Sequence, residues 1–370
     1  IRVTNMHLLL NQTNIEIVDP AADTTLLHWL RETQYLTATK EGCAVGDCGA
    51  CTVIVGQLIQ GQIAYRSVNA CIALLGSLHA CHIITLDALQ GPELHPVQQA
   101  MVDFHSSQCG FCSPGFVMSL IVWWLNTPAN SLATPEDFAN HRHGVELALS
   151  GNLCRCTGYH PILLAADHLA PMDRATDPLF NQLGGLDRCH VQLKNMARVG
   201  QQIPNPAYTS PSDLAALALA YEAAPNAKLV AGSTDLALDI TQGLQSFKCL
   251  IDVTGVEELQ GIDERDKKLH IGAGVSLSEV EFFCQTKLPQ MSDLLASFAS
   301  RQVRNRATLV GNIANSSPIA DIPPLLLVMD AELVLQQGLK QRTIALKGFN
   351  LGYKQTALAT GEFIHSVILP

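Results

Sequence analysis

The placement of cysteine constrains this chain more than any other feature of its sequence. The 370 residues include 12 cysteines. Eight of them fall into two groups with the close spacing of metal ligands: Cys43, Cys48, Cys51 and Cys71, then Cys109, Cys112, Cys154 and Cys156. We recognise no secretory leader, so we expect reduced thiols that bind metal instead of a disulfide framework. The other four lack neighbours at ligand spacing and are predicted to be inert buried thiols: Cys81, Cys189, Cys249 and Cys284.

The first group has the spacing C-x4-C-x2-C, followed by a more distant fourth cysteine. Its first three members share one loop that ends at Cys51, and Cys71 lies on a neighbouring element. This is the spacing of plant-type [2Fe-2S] ferredoxins. Gly42, Gly46 and Gly49 allow the positive φ angles and the close backbone approach that such a loop needs. A structural zinc site is the alternative, but zinc ligands usually form two close pairs and this group has only one.

The second group combines a C-x2-C pair, Cys109 and Cys112, with a C-x-C pair, Cys154 and Cys156. Each pair lies where a helix is predicted to begin or end, so two helical turns can present four thiolates to one centre. The amides of helix N-termini would stabilise the negative charge of a cluster. Spacing alone leaves zinc open as an alternative to a [2Fe-2S] cluster.

The hydrophobic pattern divides the chain into three folded segments and one connection. Residues 1–86 have the element order of a β-grasp domain: a hairpin, a helix, the cysteine loop and a further strand. Residues 87–166 have helical periodicity interrupted by cysteine-rich turns. Residues 167–200 contain several prolines and glycines with weak periodicity, which predicts a linker. Residues 201–370 alternate short strands with helices and predict an α+β or α/β domain.

Two stretches of the last segment have features of dinucleotide-binding turns. A Gly-Ser-Thr turn at Gly232 follows the short predicted strand Lys228–Ala231, and its backbone amides can hold a pyrophosphate. An ordinary loop is the alternative for this turn. The second stretch, Thr308–Asp321, contains small and polar residues that allow a dinucleotide to approach closely.

Taken together, these motifs resemble the xanthine dehydrogenase and aldehyde oxidase family of molybdenum hydroxylases. The resemblance is carried by QCGFCSPG at 108–115 and GNLCRCTGY at 151–159, which follow the first cysteine loop. It implies a multidomain α+β chain with a plant-type [2Fe-2S] ferredoxin-like domain, an all-helical [2Fe-2S] domain and an FAD-binding domain. The family places FAD against residues that correspond to Leu229, Val230, Ala231, Gly232, Ser233, Thr234, Asp235, Leu236, Phe298, Ala299, Thr308, Leu309, Val310, Gly311, Asn312, Ser317, Asp321 and Ile364.

The chain departs from the family pattern at two places. Val310 precedes Gly311 and Asn312 where the family has a first glycine, so a side chain is expected where backbone amides face the phosphates. The family's flavin domain also continues into a further subdomain that carries a nicotinamide-binding loop. We expect this C-terminal subdomain to be missing after Pro370.

The resemblance implies the small, electron-transfer subunit of a molybdenum hydroxylase. Electrons would pass from molybdopterin on a separate large subunit through the helical-domain cluster and the plant-type cluster to FAD. Gln108 and Cys156 would lie near the pterin, and no catalytic residue is expected in this chain. The implied assembly is a heterodimer or heterotetramer, with NAD+ or oxygen as the final electron acceptor.

The resemblance favours hypoxanthine or xanthine as the substrate, with urate as the product. An aldehyde or another N-heterocycle is the alternative within the family, because the substrate contacts lie on the partner. A stand-alone iron–sulfur flavoprotein electron carrier is the alternative of a different class. Gln108 and the intact Cys154-Arg155-Cys156 argue against it, since a lone carrier needs no pterin-facing surface.

Charge and hydrophobicity argue against two other kinds of partner. The net charge of -10 at pH 7 and the lack of any run of Lys and Arg oppose nucleic-acid binding. The longest apolar stretch, Phe116–Leu125, has about half of the roughly 20 residues that span a bilayer. We therefore expect a cytoplasmic protein without membrane contact.

Overall fold

The computed structural model describes residues 5–127, 135–169, 177–200 and 207–370, which form two compact units. Among these residues, the first unit comprises 5–20, 24–200 and 300–303. The second unit comprises 21–23, 207–299 and 304–370. Each unit has its own cluster of buried apolar side chains.

A five-stranded sheet opens the first unit. Its strands are β1 (Asn5–Leu10), β2 (Thr13–Val18), β3 (Thr52–Ile59), β4 (Gln62–Asn69) and β5 (His82–Ile84). They lie in the order β2-β1-β5-β3-β4, with β1 and β5 parallel and the other neighbours antiparallel. The short helix α1 (Leu26–His28) is capped by Thr25 and continues in a helical turn to Thr33. The predicted ferredoxin-like arrangement of hairpin, helix, loop and strand is confirmed.

Helices form the next part of the first unit. They are α2 (Pro96–Asp103), α3 (Ser113–Asn126), α4 (Pro135–Leu149) and α5 (His160–His168). Helix α3 packs against α2, α4, β3 and β4. A helix that is covered on all sides is apolar all round, and this accounts for the run of buried side chains that the sequence predicted as a buried helix.

The segment predicted as a linker is largely helical where the structure describes it. It contains α6 (Pro178–Gln182) and α7 (Leu186–Gly200), while residues 170–176 lie outside the described part. Helix α7 packs against β1 and β3 and buries Cys189, Leu193 and Met196. The prediction of a linker was wrong for these two helices, and the domain boundaries stay predictions.

The second unit contains two larger sheets and a small hairpin. The parallel strands β6 (Tyr208–Thr209), β7 (Lys228–Val230) and β8 (Leu250–Asp252) lie in the order β6-β8-β7. The antiparallel strands are β9 (Ile262–Arg265), β10 (Lys268–Gly272), β11 (Glu332–Gln337), β12 (Lys340–Ala345) and β15 (Phe363–Leu369). Their order is β12-β11-β15-β10-β9. The hairpin pairs β13 (Asn350–Gly352) with β14 (Gln355–Thr356).

Helices connect these strands, as the predicted α+β pattern requires. They are α8 (Leu214–Ala223), α9 (Leu236–Thr241), α10 (Leu277–Lys287), α11 (Pro289–Ser297), α12 (Arg301–Arg304), α13 (Leu309–Ala314) and α14 (Ile322–Val328). Helix α13 packs against β15. In the described part of the chain, no helix combines the length and the apolar character that crossing a membrane requires.

Candidate cofactor sites

The loop between α1 and β3 folds its backbone around the first group of cysteines. Three residues between Cys43 and Cys51 have positive φ angles: 58° at Ala44, 85° at Gly46 and 68° at Gly49. The N–H groups of Val45 and Cys48 donate to Cys43 Sγ over 3.5 Å and 3.3 Å. Successive amides that point inward make a concave site for negative charge, as thiolates bound to iron require.

The thiols of this first group lie in two hydrogen-bonded pairs, Cys43 with Cys48 and Cys51 with Cys71. Burial raises the pKa of Cys43, but the amide donors of the loop outweigh burial, so its pKa lies below the ordinary value. Burial raises the pKa of Cys48. The hydrogen bond within the other pair lowers the pKa of Cys51 and raises that of Cys71. The amide donors of the loop therefore favour the thiolate form of Cys43, which is the form that binds metal.

The second group of cysteines lies at the N-terminal ends of two helices. Cys112 is the capping residue of α3, and Cys154 and Cys156 precede α5. Cys154 is buried, whereas Cys109 and Cys156 are exposed. Thr157 donates to Cys154 Sγ from its amide over 3.4 Å and from its hydroxyl over 3.2 Å. This site therefore has a buried side and a side open to solvent.

The second group also forms two pairs, Cys112 with Cys154 and Cys109 with Cys156. Burial and the hydrogen bond that Cys112 donates to Cys154 raise the pKa of Cys112 to about 12. Burial also raises the pKa of Cys154, but Thr157 and nearby amides lower it by more, so the net shift is downward. The hydrogen bond with Cys109 raises the pKa of Cys156. Binding of metal to these thiols would release protons.

Both metal chemistries that the spacing left open use four thiolates. A structural zinc ion needs four donors around one point, whereas a [2Fe-2S] cluster has two irons, each bound by two thiolates. The amides that donate to Cys43 Sγ and Cys154 Sγ stabilise the negative charge of such thiolates.

The two cysteine loops contact each other directly within the first unit. The Leu153 N–H donates to the Cys48 carbonyl over 3.0 Å. Cys48 belongs to the first group, and Leu153 is joined by a peptide bond to Cys154 of the second group. One hydrogen bond therefore connects the backbone of a predicted ligand of one cluster to the residue that precedes a predicted ligand of the other.

The Gly-Ser-Thr turn predicted to bind FAD follows β7 and is tightly packed. The Gly232 carbonyl accepts from Ser233 Oγ over 2.7 Å and from Arg306 Nε over 3.2 Å. A Cβ atom on Gly232 would lie only 1.9 Å from the Arg306 carbonyl oxygen. Only glycine fits this position, because the backbone next to the second predicted FAD stretch occupies the space of a side chain.

The second predicted stretch forms the short helix α13. Thr308 caps it by accepting from the Gly311 N–H over 2.9 Å. Val310 is 6% exposed and packs into the core of the second unit. Its side chain is therefore part of the core, and its expected effect on the approach of the phosphates stays a prediction. Asn312 Oδ1 is buried without a hydrogen-bond partner among the described residues, which fits an acceptor that a bound ligand satisfies.

A buried ion pair fixes the turn that contains Phe298 and Ala299. Arg304 Nη1 donates to the carbonyls of Phe298 and Ala299 over 2.7 Å and 3.0 Å. Arg304 Nε donates to Glu281 Oε2 over 3.0 Å, and both side chains are almost fully buried. Ala299 has a φ of 50°, which is unusual for a residue with a side chain. Arg304 therefore stabilises a strained turn that the resemblance places beside the isoalloxazine.

We expect Glu281→Gln to lower the free energy of unfolding of the second unit by about 3 kcal/mol, because it removes the carboxylate that pairs with the buried Arg304 guanidinium. Urea unfolding of the purified chain measures this loss. Glu264→Gln is the matched control: its partner is Lys287, both side chains are more than half exposed, and its expected cost is below about 1 kcal/mol. Equal losses in the two variants would contradict a stabilising role for the buried pair.

Three other residues predicted to contact FAD occupy different environments. Ser317 accepts from the Ile319 N–H over 3.4 Å in the turn after α13. Asp321 is exposed and precedes α14, whereas Ile364 is 4% exposed on β15. Their contacts with FAD stay predictions.

Three family models match successive parts of the chain. Residues 8–75 match the 2Fe-2S iron-sulfur cluster binding domain, and residues 85–167 match the [2Fe-2S] binding domain. Residues 200–370 match the FAD binding domain in molybdopterin dehydrogenase. The chain has the iron–sulfur and FAD-binding domains of molybdopterin dehydrogenases. It contains two [2Fe-2S] domains and one FAD domain, so the predicted cofactors and fold class are confirmed.

Curated relatives of this chain include xanthine dehydrogenases. That of Drosophila subobscura is 30% identical over 414 residues, which cover 96% of this chain and 30% of the relative. That of Emericella nidulans is 32% identical over 421 residues, which cover 98% of this chain and 30% of the relative. The chain thus spans about 30% of the length of the curated relatives that it matches.

Two solved structures resemble part of the chain. A carbon monoxide dehydrogenase from Hydrogenophaga pseudoflava is 29% identical to the matched part of this chain. The match covers 44% of this chain and 58% of the dehydrogenase chain, with a TM-score of 0.42. The aldehyde oxidoreductase from Desulfovibrio desulfuricans is 32% identical to the matched part. That match covers 44% of this chain and 16% of the oxidoreductase chain, with a TM-score of 0.36.

Proposed function

We propose that this chain is the electron-transfer part of a molybdenum hydroxylase whose molybdopterin lies on a separate large subunit. When bound, the two [2Fe-2S] clusters and FAD supply one-electron and two-electron carriers between that subunit and the final acceptor. The eight paired cysteines hold the clusters, and the stretches around Gly232 and Asn312 hold FAD. The protein's own contribution is to position these groups.

The hydrogen bond between Leu153 and Cys48 is the observation that carries this proposal. It joins the two cysteine loops, because a route of one hydrogen bond and a few covalent bonds leads from Cys48 through Leu153 to Cys154. A chain whose two metal groups served only structural purposes would not need this connection. The bond therefore supports clusters that exchange electrons.

The exposed side of the second cysteine group is the proposed contact with the molybdopterin subunit. Gln108, Cys109 and Cys156 are exposed there. The neighbouring apolar side chains of Phe111 and Leu153 are 47% and 54% exposed. Exposed apolar groups around a polar centre are typical of an interaction surface, so we place the pterin of the partner subunit near Gln108 and Cys156.

Xanthine or hypoxanthine is the proposed substrate of the complete enzyme, because the curated relatives are named xanthine dehydrogenases. We propose a cytoplasmic heterodimer or heterotetramer that passes electrons to NAD+ or oxygen. Oxidation of an aldehyde or another N-heterocycle is the second candidate, since the residues that contact the substrate would lie on the partner subunit.

Purification of the tagged chain from its native cells tests this proposal. We expect a large molybdenum-containing subunit to copurify and the complex to reduce its flavin when xanthine is added. Flavin reduction by an aldehyde but not by xanthine would favour the second candidate. Recovery of an active chain without any molybdenum-containing partner would contradict the proposed role.

A further inference from the structure

A buried network of uncharged side chains connects the two cysteine loops of the first unit. Asn152 Oδ1 accepts from Ser119 Oγ over 2.7 Å and from Gln302 Nε2 over 3.0 Å. Asn152 Nδ2 donates to the Gly49 carbonyl over 3.1 Å, and Thr52 Oγ1 donates to the same oxygen over 2.7 Å. The four side chains are at most 3% exposed. We call these five residues the inter-loop clamp.

Glycines pack the backbone closely around the inter-loop clamp. A Cβ atom on Gly49 would lie 2.1 Å from the Gly151 carbonyl oxygen. A Cβ atom on Gly115 would lie 2.1 Å from the Gly49 carbonyl oxygen, and one on Gly151 would lie 2.2 Å from Gln302 Oε1. The backbones at these three glycines approach their neighbours too closely to admit a side chain. The two cysteine loops therefore cannot shift relative to each other without disrupting this packing.

The inter-loop clamp acts next to the hydrogen bond that joins the loops. Asn152 immediately precedes Leu153, the donor of that bond, and Gly49 immediately follows Cys48, its acceptor. The side-chain amide of Asn152 therefore forms a second hydrogen bond between the loops, to Gly49, beside the bond between Leu153 and Cys48. Two adjacent bonds fix both the distance and the relative orientation of the loops.

The burial of Gln302 argues for a role beyond stability. Its Oε1 atom is buried without a hydrogen-bond partner among the described residues. A buried polar atom without a partner is unfavourable. Methionine has a similar volume and carries no such atom, so stability alone does not account for an amide at this position.

We propose that Asn152 and Gln302 are positioning residues that set the spacing, and hence the electronic coupling, between the two clusters. The proposal rests on the proposed function, because it requires both cysteine groups to hold clusters. Asn152 connects the loops, and Gln302 with Ser119 fixes the orientation of the Asn152 amide.

Gln302→Met and Asn152→Ala test the proposal in the full-length chain with its bound cofactors. Both variants should keep the iron and sulfide content of the wild type. The magnetic splitting between the two reduced clusters, measured by electron paramagnetic resonance, should decrease. Hydrogen exchange in a peptide that contains Leu153 should become about tenfold faster, because loss of a buried hydrogen bond eases local opening.

Gln99→Ala is the matched control, since the Gln99 side-chain amide donates to Asp103 on an exposed face, and this variant should leave the splitting unchanged. Iron-replete variants with the wild-type splitting would overturn the proposal. Loss of iron from both variants would also overturn it, because these side chains would then hold the clusters and not set their spacing. Wild-type protein without clusters would instead refute the proposed function itself.

Discussion

Gly232→Val is expected to abolish FAD binding while both iron–sulfur clusters remain. The carbonyl of Arg306 lies where the first carbon of any side chain would have to be placed. The substitution must therefore separate the Gly-Ser-Thr turn from the backbone that precedes α13, and these are the two stretches predicted to hold FAD. The clusters belong to the first unit, whose core is separate. Extracted flavin and iron content, measured on the same sample, test both parts of this expectation.

Gly348→Val is the matched control for this experiment. Gly348 also lies in the second unit, its φ is not positive, and nothing lies within 4 Å of the position that its Cβ would occupy. This variant should keep the FAD content of the wild type. If Gly232→Val binds as much flavin as the wild type, the placement of FAD at this turn is wrong.

Cys109→Ser is expected to slow the reduction of the flavin by substrate about 100-fold or more, while FAD stays bound. Loss of a residue that only hydrogen-bonds to a metal ligand already lowers metal affinity or activity about 10- to 100-fold. Cys109→Ser removes a predicted ligand itself. A serine hydroxyl ionises far less readily than a thiol and binds iron poorly. Rapid-mixing absorbance of the holoenzyme with its partner subunit measures the rate.

Cys249→Ser is the control for that change, because Cys249 is also a free cysteine but lies outside both groups. In the Cys249→Ser variant, substrate should reduce the flavin at the wild-type rate. A wild-type rate in Cys109→Ser would mean that electrons reach the flavin without the second cluster, and the proposed order of carriers would be incorrect.

The sequence predicted the elements whose physical cause is local. The positive φ angles at Gly46 and Gly49 follow from glycines between closely spaced cysteines, and helix α3 follows from a long apolar run. The hairpin of β1 and β2 turns at Asn11, with a φ of 52°, where the alternating pattern is interrupted. Motif spacing also identified both cysteine groups, because ligands of one centre must come from short segments.

Helix α7 was missed because its buried face includes a cysteine. Leu186, Cys189, Leu193 and Met196 recur at helical spacing, but the signal is clear only when Cys189 is counted as apolar. The two glycines before the helix and the polar residues between these positions made the segment similar to a linker. Treating cysteines outside ligand motifs as apolar core residues would have predicted this helix.

The buried polar residues could not be predicted, because their partners are distant in the chain. Arg304 pairs with Glu281, 23 positions away, and Gln302 bonds to Asn152, 150 positions away. A single sequence gives no signal that such a side chain is buried, and Arg and Gln are usually exposed. The connection of the two cysteine loops likewise depends on tertiary packing.

The content of iron, sulfide, zinc and flavin in the anaerobically purified chain tests the central claim most directly, together with the low-temperature electron paramagnetic resonance spectrum of its reduced form. We predict about four iron, about four sulfide and about one FAD per chain, no zinc, and two distinct signals from reduced clusters. Stoichiometric zinc without flavin would contradict the assignment of the paired cysteines to clusters and the proposed role in electron transfer.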